Sequence, residues 1–173
     1  MKGTIVKCLE DLVVTQFDQD KWDQSLDDAG FQRPALILAI GNVDDVQVMR
    51  LVQAVCKNLN ITYTQATDAF GDHWVNVYSQ KMYGQYYAQC PNARDFLMSL
   101  DGIHRSMTQS MKDAKPPRFE YEWKDGKTLI IHYQSHRGLI DFAIGLTKAV
   151  GTFYKEDLHV KKLGTDRLEV VFP

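Results

Sequence analysis

The chain has 173 residues, of which 45% are hydrophobic, 24% charged and 11% aromatic, and its formal net charge is −2. That length suits one compact domain with a sizeable core and leaves little for a second. A charge so close to zero gives no electrostatic reason to bind nucleic acid or an anionic membrane, and no apolar run reaches the ~20 residues of a membrane span. The opening Met1-Lys2-Gly3-Thr4 runs straight into a mixed polar and apolar pattern, without the apolar stretch of a leader. The three cysteines, Cys8, Cys56 and Cys90, are odd in number, scattered and never in a CxxC. A cytoplasmic setting is therefore expected, with neither a disulfide framework nor a cysteine zinc site.

Residues 3–14 carry Ile5, Val6, Leu9, Leu12 and Val13 at spacings of three and four, which predicts a helix. A second is expected over 20–29, stopped by Gly30. Asn42 is placed to cap a third over 43–58, with Val48, Val52, Val55 and Leu59 along one face. Thr62 with Gln65 makes the capping-box signature of a fourth, which buries Ala66, Phe70, Trp74 and either Val77 or Tyr78. Asn92 caps a fifth over 93–111, whose apolar stripe is Leu97, Leu100, His104, Met107 and Met111. After Pro116-Pro117 the period changes to two. Residues 118–123 and 128–134 flank Lys124-Asp125-Gly126-Lys127, a hairpin signal. Residues 138–154 return to helical spacing through Leu139, Phe142, Leu146, Val150 and Phe153. A second hairpin alternates Leu158 and Val160, turns at Gly164-Thr165-Asp166, and alternates Leu168, Val170 and Phe172. The expected fold class is α+β, a helical N-terminal part followed by an antiparallel sheet with packed helices. One domain over 1–173 is expected, its helical part about 1–60 and its sheet-bearing part about 61–173.

Two groups of residues could carry chemistry. His104 stands in an otherwise apolar helical face. A buried imidazole must hydrogen-bond, stay neutral or bind a metal; on spacing alone a hydrogen-bonded core histidine is the plainer reading and a metal ligand the sharper one. The run Tyr133-Gln134-Ser135-His136-Arg137 lies where a strand gives way to a helix. On a continuing strand Tyr133 and Ser135 point to one side, and Arg137 enters the first turn of the helix. Two hydroxyls, a guanidinium and helix N–H groups then make a carboxylate clamp. The plainer reading is a serine cap beside a solvated arginine. His132 faces away from Tyr133, while His73, His136 and His159 are isolated, and no HExxH, GxGxxG, P-loop or GxSxG occurs. Cys8 reads as core rather than as a nucleophile, and Asp18, Asp20, Asp23, Asp27 and Asp28 read as a solvated helix face.

Together these segments are more specific. Met1-Lys2-Gly3-Thr4-Ile5-Val6, Ala69-Phe70-Gly71, Leu100-Asp101-Gly102-Ile103-His104, Pro116-Pro117-Arg118-Phe119 and Tyr133-x-Ser135-x-Arg137, in this order and spacing, resemble the H-NOX family of haem nitric oxide/oxygen binding domains. The resemblance spans essentially the whole chain and is to the stand-alone bacterial type. It implies a fold enclosing haem b, with His104 as the axial ligand to iron and Tyr133, Ser135 and Arg137 holding the propionates. It also implies that Ile5 and Pro117 press on the porphyrin, and that Leu9, Trp74 and Phe142 contribute to the gas pocket. Oxygen-binding members carry a tyrosine where Phe142 stands, and tend to have tryptophan and asparagine where Leu9 and Trp74 stand. Without such a donor, bound oxygen is poorly stabilised, whereas nitric oxide needs none. The resemblance thus implies a nitric oxide sensor, with carbon monoxide as a further ligand, and no catalysis. Tyr78, one turn beyond Trp74, or the Trp74 indole itself, keeps an oxygen sensor open.

The implied mechanism is a switch. Gas binding weakens the bond to His104, frees its helix, relaxes the distortion at Ile5 and Pro117, and shifts the N-terminal helices. By analogy the partner is a sensor histidine kinase or a cyclic-di-GMP enzyme. Two rival readings remain. One is a haem peroxidase, for which His73 beside Trp74 is the nearest acid–base candidate. The other is a haem-free interaction domain.

Overall fold

The computed structural model describes every residue except Ser110, Lys112 and Asp113. Helix α1 (Gly3–Gln16) buries Val6, Leu9, Leu12 and Val13, the spacing seen in the sequence. Helix α2 (Gln19–Asp28) starts at Asp18, whose carboxylate accepts Lys21 N at 2.7 Å. Helix α3 (Asp45–Leu59) is capped by Asp44 rather than by Asn42. Asn42 pairs as a β-bridge with Lys2, and Val43 N donates to Met1 O at 2.8 Å. With the backbone of 42–43 held by the N-terminus, the helix can begin only after Asp44, which accepts Gln47 N at 3.0 Å.

Helix α4 (Tyr63–His73) opens with the expected capping box: Gln65 N donates to Thr62 Oγ1 at 3.2 Å, and Thr62 N donates to Gln65 Oε1 at 2.8 Å. It widens into a π turn over Trp74–Tyr78 and continues as α5 (Gln80–Ala88), a helix that the spacing did not assign. Such π turns are often found at functional sites. Helix α6 (Ala93–Thr108) is capped by Asn92 as expected. It stops short of 111: Ser110 lies outside the described residues, and Met111 is exposed rather than part of the buried stripe.

Strands β1 (Arg118–Trp123), β2 (Thr128–Gln134), β3 (His159–Lys162) and β4 (Arg167–Val171) form one antiparallel sheet in the order β1-β2-β4-β3. Phe119 sits opposite Tyr133 and Ile131 opposite Leu168, so the inward residues of both hairpins stack across the central strands. Leu168, Val170 and Phe172, the alternating set of the last strand, are all buried. Helix α7 (Ile140–Tyr154) begins two residues later than the pattern predicts. Gly138 takes φ +62°, a left-handed conformation outside the helix. Arg137 therefore lies in the turn before α7, not in its first turn.

The side chains bury into two clusters. One joins α1, α2 and α3 to Phe70 of α4; the other joins α5, α6, α7 and the sheet. Helices α4 and α7 cross between them with backbones almost touching. A Cβ on Gly71 would fall 2.3 Å from the Gly145 carbonyl carbon, and one on Gly145 would fall 2.2 Å from Thr67 O. Only glycine allows that approach. Trp74 packs against both clusters, at the seam. No helix among the described residues is long and apolar enough to cross a membrane.

Candidate cofactor site

A cavity of about 700 Å³ lies between the two clusters. Ile5 and Leu9 from α1, Trp74 from the π turn, His104 from α6, Pro117 from the approach to β1 and Phe142 from α7 all line it. So do Tyr133, Ser135 and Arg137, at and just beyond the end of β2. The sequence-predicted residues are thereby brought to one space from six separate segments. Tyr78 is the exception. It is not on the cavity wall; its ring stacks on Trp74 with centroids 5.7 Å apart. The tyrosines of this part of the chain that do line the wall are Tyr83, Tyr86 and Tyr87 on α5; burial pushes the Tyr83 phenol up, and the Tyr87 hydroxyl is bonded to Ser79 at 2.9 Å. Tyr83 had no signal in the sequence, because α5 carries no clear apolar period.

The body of the cavity is hydrocarbon. Phe142 meets Phe70 edge to face at 5.2 Å, and Phe70 stacks on Trp74 at 6.1 Å. His104 enters from α6 with its ring 5.5 Å from that of Phe119. Its Nδ1 is buried and has no well-formed hydrogen bond, the Pro117 carbonyl being the backbone acceptor beside the ring. Burial lowers the imidazole pKa and keeps the ring neutral, while the Pro117 carbonyl and the Asp101 carboxylate work weakly the other way. An atom sealed in this way cannot face the cavity, so Nε2 is the nitrogen available to it. A neutral imidazole with one free nitrogen on an apolar cavity wall is a metal-ligand arrangement. The plainer alternative is a core histidine whose ring is fully satisfied by hydrogen bonds, and no well-formed bond of that kind is made at Nδ1.

The mouth is polar. Tyr133 is pushed up by burial, and the Ser135 hydroxyl, the Leu139 backbone and Arg137 act against this, which places the three motif residues side by side. Ser135 does not cap a helix; its Oγ accepts Arg137 N at 3.3 Å within the turn. Arg137 donates through Nε to Asp45 Oδ2 at 2.8 Å and through Nη1 to Lys115 O at 2.8 Å. Asp45 in turn accepts the Met1 ammonium at 2.5 Å. Burial works to raise the Asp45 carboxyl, but the Met1 ammonium and the Arg137 guanidinium outweigh it and hold the group below its usual value. Asp45 was not singled out in the sequence, where it is one acidic residue of a helix start among several; its role comes from a contact 92 residues away in the chain.

His73 lies elsewhere. It is buried, bonds Asp11 Oδ2 at 2.7 Å and is not on the cavity wall, so the peroxidase reading loses its acid–base candidate. Among the described residues no group of three or more His, Cys, Asp or Glu side chains is arranged to hold a metal ion; of the two imidazoles that line the cavity, His136 stands at the polar mouth 3.7 Å from Asp45 Oδ2, and any iron would hang on the single imidazole of the apolar wall, His104. That is the ligand economy of haem, whose four other in-plane donors come from its own ring. A broad apolar cavity, one free imidazole nitrogen and a carboxylate clamp at the mouth fit that cofactor, and they define a haem-binding domain.

Comparison with known proteins agrees. The family model described as Haem-NO-binding matches residues 2–162. An H-NOX protein from S. oneidensis superposes with a TM-score of 0.90 at 19% identity, covering 100% of this chain and 96% of that one. An oxygen-binding H-NOX domain related to soluble guanylate cyclases, seen as its oxygen complex, superposes with a TM-score of 0.83 at 23% identity, covering 99% and 95%. The soluble guanylate cyclase gcy-32 of Caenorhabditis elegans is 26% identical over 154 residues, which are 87% of this chain and 22% of that protein. The chain therefore spans about a fifth of the length of the curated relatives it matches. This chain belongs to the Haem-NO-binding family, the H-NOX domains, which are haem-based gas sensors and not catalysts.

Proposed function

We propose that this domain binds haem b through His104, senses nitric oxide at ferrous iron, and signals by weakening or losing its hold on that iron. The observation that carries the reading is that Ile5, Leu9, Phe70 and Phe142, which line the cavity, bring no side-chain hydrogen-bond donor to stabilise an oxygen adduct. When bound, haem supplies a ferrous iron that takes diatomic gases, carbon monoxide among them. Tyr133, Ser135 and the free edge of Arg137 hold its carboxylates, with Asp45 orienting the guanidinium. Ile5 and Pro117 lean on the macrocycle. His104 would hold the iron, and its Nδ1, with no well-formed hydrogen bond and no carboxylate partner, would leave that hold weakly supported by outer partners. If that hold were lost, His104 would no longer tie α6 to the cofactor, and the two side-chain clusters, which meet at the α4–α7 crossing, would be free to shift.

The surface that shifts is read by a separate partner in a cytoplasmic setting, either a sensor histidine kinase or a cyclic-di-GMP enzyme; this rests on analogy with stand-alone relatives. A second reading, an oxygen sensor, rests on the Tyr83 hydroxyl at the cavity wall together with the Trp74 indole. Anaerobic absorption spectra of the reduced protein decide between them. The nitric oxide reading expects a spectral change that reports loss of His104 from iron when nitric oxide is added, and no stable oxygen complex in air. A stable oxygen complex that Tyr83→Phe abolishes selects the second reading. Protein that is colourless and takes up no added haem removes both, leaving an interaction domain.

A further inference from the structure

Helix α6 is held very differently along its two halves. Ala93, Phe96 and Leu97, its three fully buried residues, all lie in the first half. The same half is bolted to β1. Tyr121 donates its hydroxyl to Leu97 O at 2.8 Å. Asp101 accepts Arg118 Nε and Nη2, each at 2.6 Å, and Phe119 N at 3.1 Å. The Arg118 guanidinium holds the Asp101 carboxyl well below the usual carboxylate range. Beyond this anchor the hydrogen bonds turn inward: Arg105 reaches back to Asp101 at 3.4 Å, and Thr108 donates to His104 O at 2.7 Å. Ile103, His104, Met107 and Thr108 line the cavity, as Phe96, Leu97 and Leu100 do, but none of these four is fully buried.

The residue at the boundary is Gly102, in the interior of the helix. Nothing lies within 4 Å of where its Cβ would be, and it is exposed, so no packing demands a glycine there. Glycine inside a helix weakens it, and this one does so directly between the anchor and the iron ligand. The contrast with Gly71 and Gly145, which the helix crossing requires, is plain.

We infer that Asp101 and Gly102 form a hinge inside α6, with Asp101 the fixed pivot and 103–108 the part that moves when His104 is released. The inference rests on the proposed loss of the iron–His104 bond. It makes Asp101 a positioning residue, acting on His104 through the helix.

Hydrogen exchange of the reduced, haem-loaded protein tests it, with peptides over 93–101 and over 103–108 followed without gas and with nitric oxide. The expected result is faster exchange over 103–108 on adding nitric oxide, with 93–101 unchanged. In Gly102→Ala, exchange over 103–108 before gas slows by about fivefold, the propensity difference between alanine and glycine, and a larger fraction of the nitric oxide complex keeps His104 on iron. Asp101→Asn frees the pivot, and exchange then rises over both peptides. Equal acceleration over both peptides in the unmodified protein, or a Gly102→Ala protein that matches it in exchange and spectrum, overturns the hinge while leaving the sensor reading intact. A spectrum in which His104 never leaves iron overturns the sensor reading and the hinge together.

Discussion

His104, Arg137 and Phe142 bear on separate properties of the site, so their substitutions separate. His104→Gly removes the imidazole that stands among the apolar residues of the cavity wall; the expected outcome is loss of haem during purification, with added imidazole restoring a ligated spectrum. Arg137→Ala deletes charge-assisted bonds worth about 1.5–3 kcal/mol each, so haem affinity, measured by transfer to an apo-acceptor, falls about 10- to 100-fold. Phe142→Tyr puts a phenol where Phe142 now meets Phe70, and slower oxygen dissociation is expected; an unchanged rate means the ring does not reach the gas. Asp45 sets the acid limit of the clamp. Its folded-state pKa is depressed, so its contribution is complete above the unfolded carboxyl value of about 3.9 and is lost as the pH falls through the lowered one. Haem retention followed by Soret absorbance should hold at about pH 5 and fail below about pH 4, with a shallower acid edge in Asp45→Asn.

Helices α4 and α7 meet at two glycines, and that crossing carries the seam between the clusters. Gly71→Ala forces a methyl to within 2.3 Å of backbone on α7. Unlike the far end of a flexible side chain, backbone cannot swing away, so the helices must separate. Overpacking of this kind costs about 1–3 kcal/mol, and each kcal/mol lowers Tm by about 2–4 °C in a domain of this size. A thermal melt of Gly71→Ala that matches the unmodified protein would mean the crossing relaxes without cost. The seam is also where the helix path departs from regularity. Trp74–Tyr78 form a π turn, which changes the angular step between residues, and the ring stacked on Trp74 is not the hydroxyl that reaches the cavity. One-turn spacing predicted a shared face for Trp74 and Tyr78, and they do share one; it is Tyr83, Tyr86 and Tyr87, on the continuing helix, that line the pocket.

The molecule has two side-chain clusters with a large cavity between them, and an unfilled cavity forfeits contacts on every wall. Removing haem should therefore cost more than the loss of one ligand bond. At haem concentrations about a thousandfold above Kd, binding adds about 4 kcal/mol to folding stability. The holo-protein should melt on the order of 10 °C above the apo-protein, and the gap should widen with added haem. Equal melting temperatures would mean that the cavity closes without its cofactor.

Local signals determined most of the element list. The capping box at Thr62 and Gln65, the caps at Asp18 and Asn92, the Asp125-Gly126 hairpin and the alternating Leu168, Val170 and Phe172 all act within a few residues, where hydrogen-bond chemistry and side-chain period leave little choice. The order of motifs also determined which residues to look for, because a linear pattern preserves identity and spacing. What the linear pattern does not hold is distance between segments. Whether the His104 ring is satisfied by neighbours depends on what surrounds its Nδ1, and those neighbours come from the packing of α6 against β1. The start of α3 moved from Asn42 to Asp44 because Met1 and Lys2 fold back onto 42–43. The recruitment of Asp45 to Arg137, the exclusion of Tyr78 and the entry of Tyr83 are likewise tertiary events. The physical reason is common to all of them: burial and orientation are properties of the assembled neighbours, and each neighbour here comes from a different stretch of the chain.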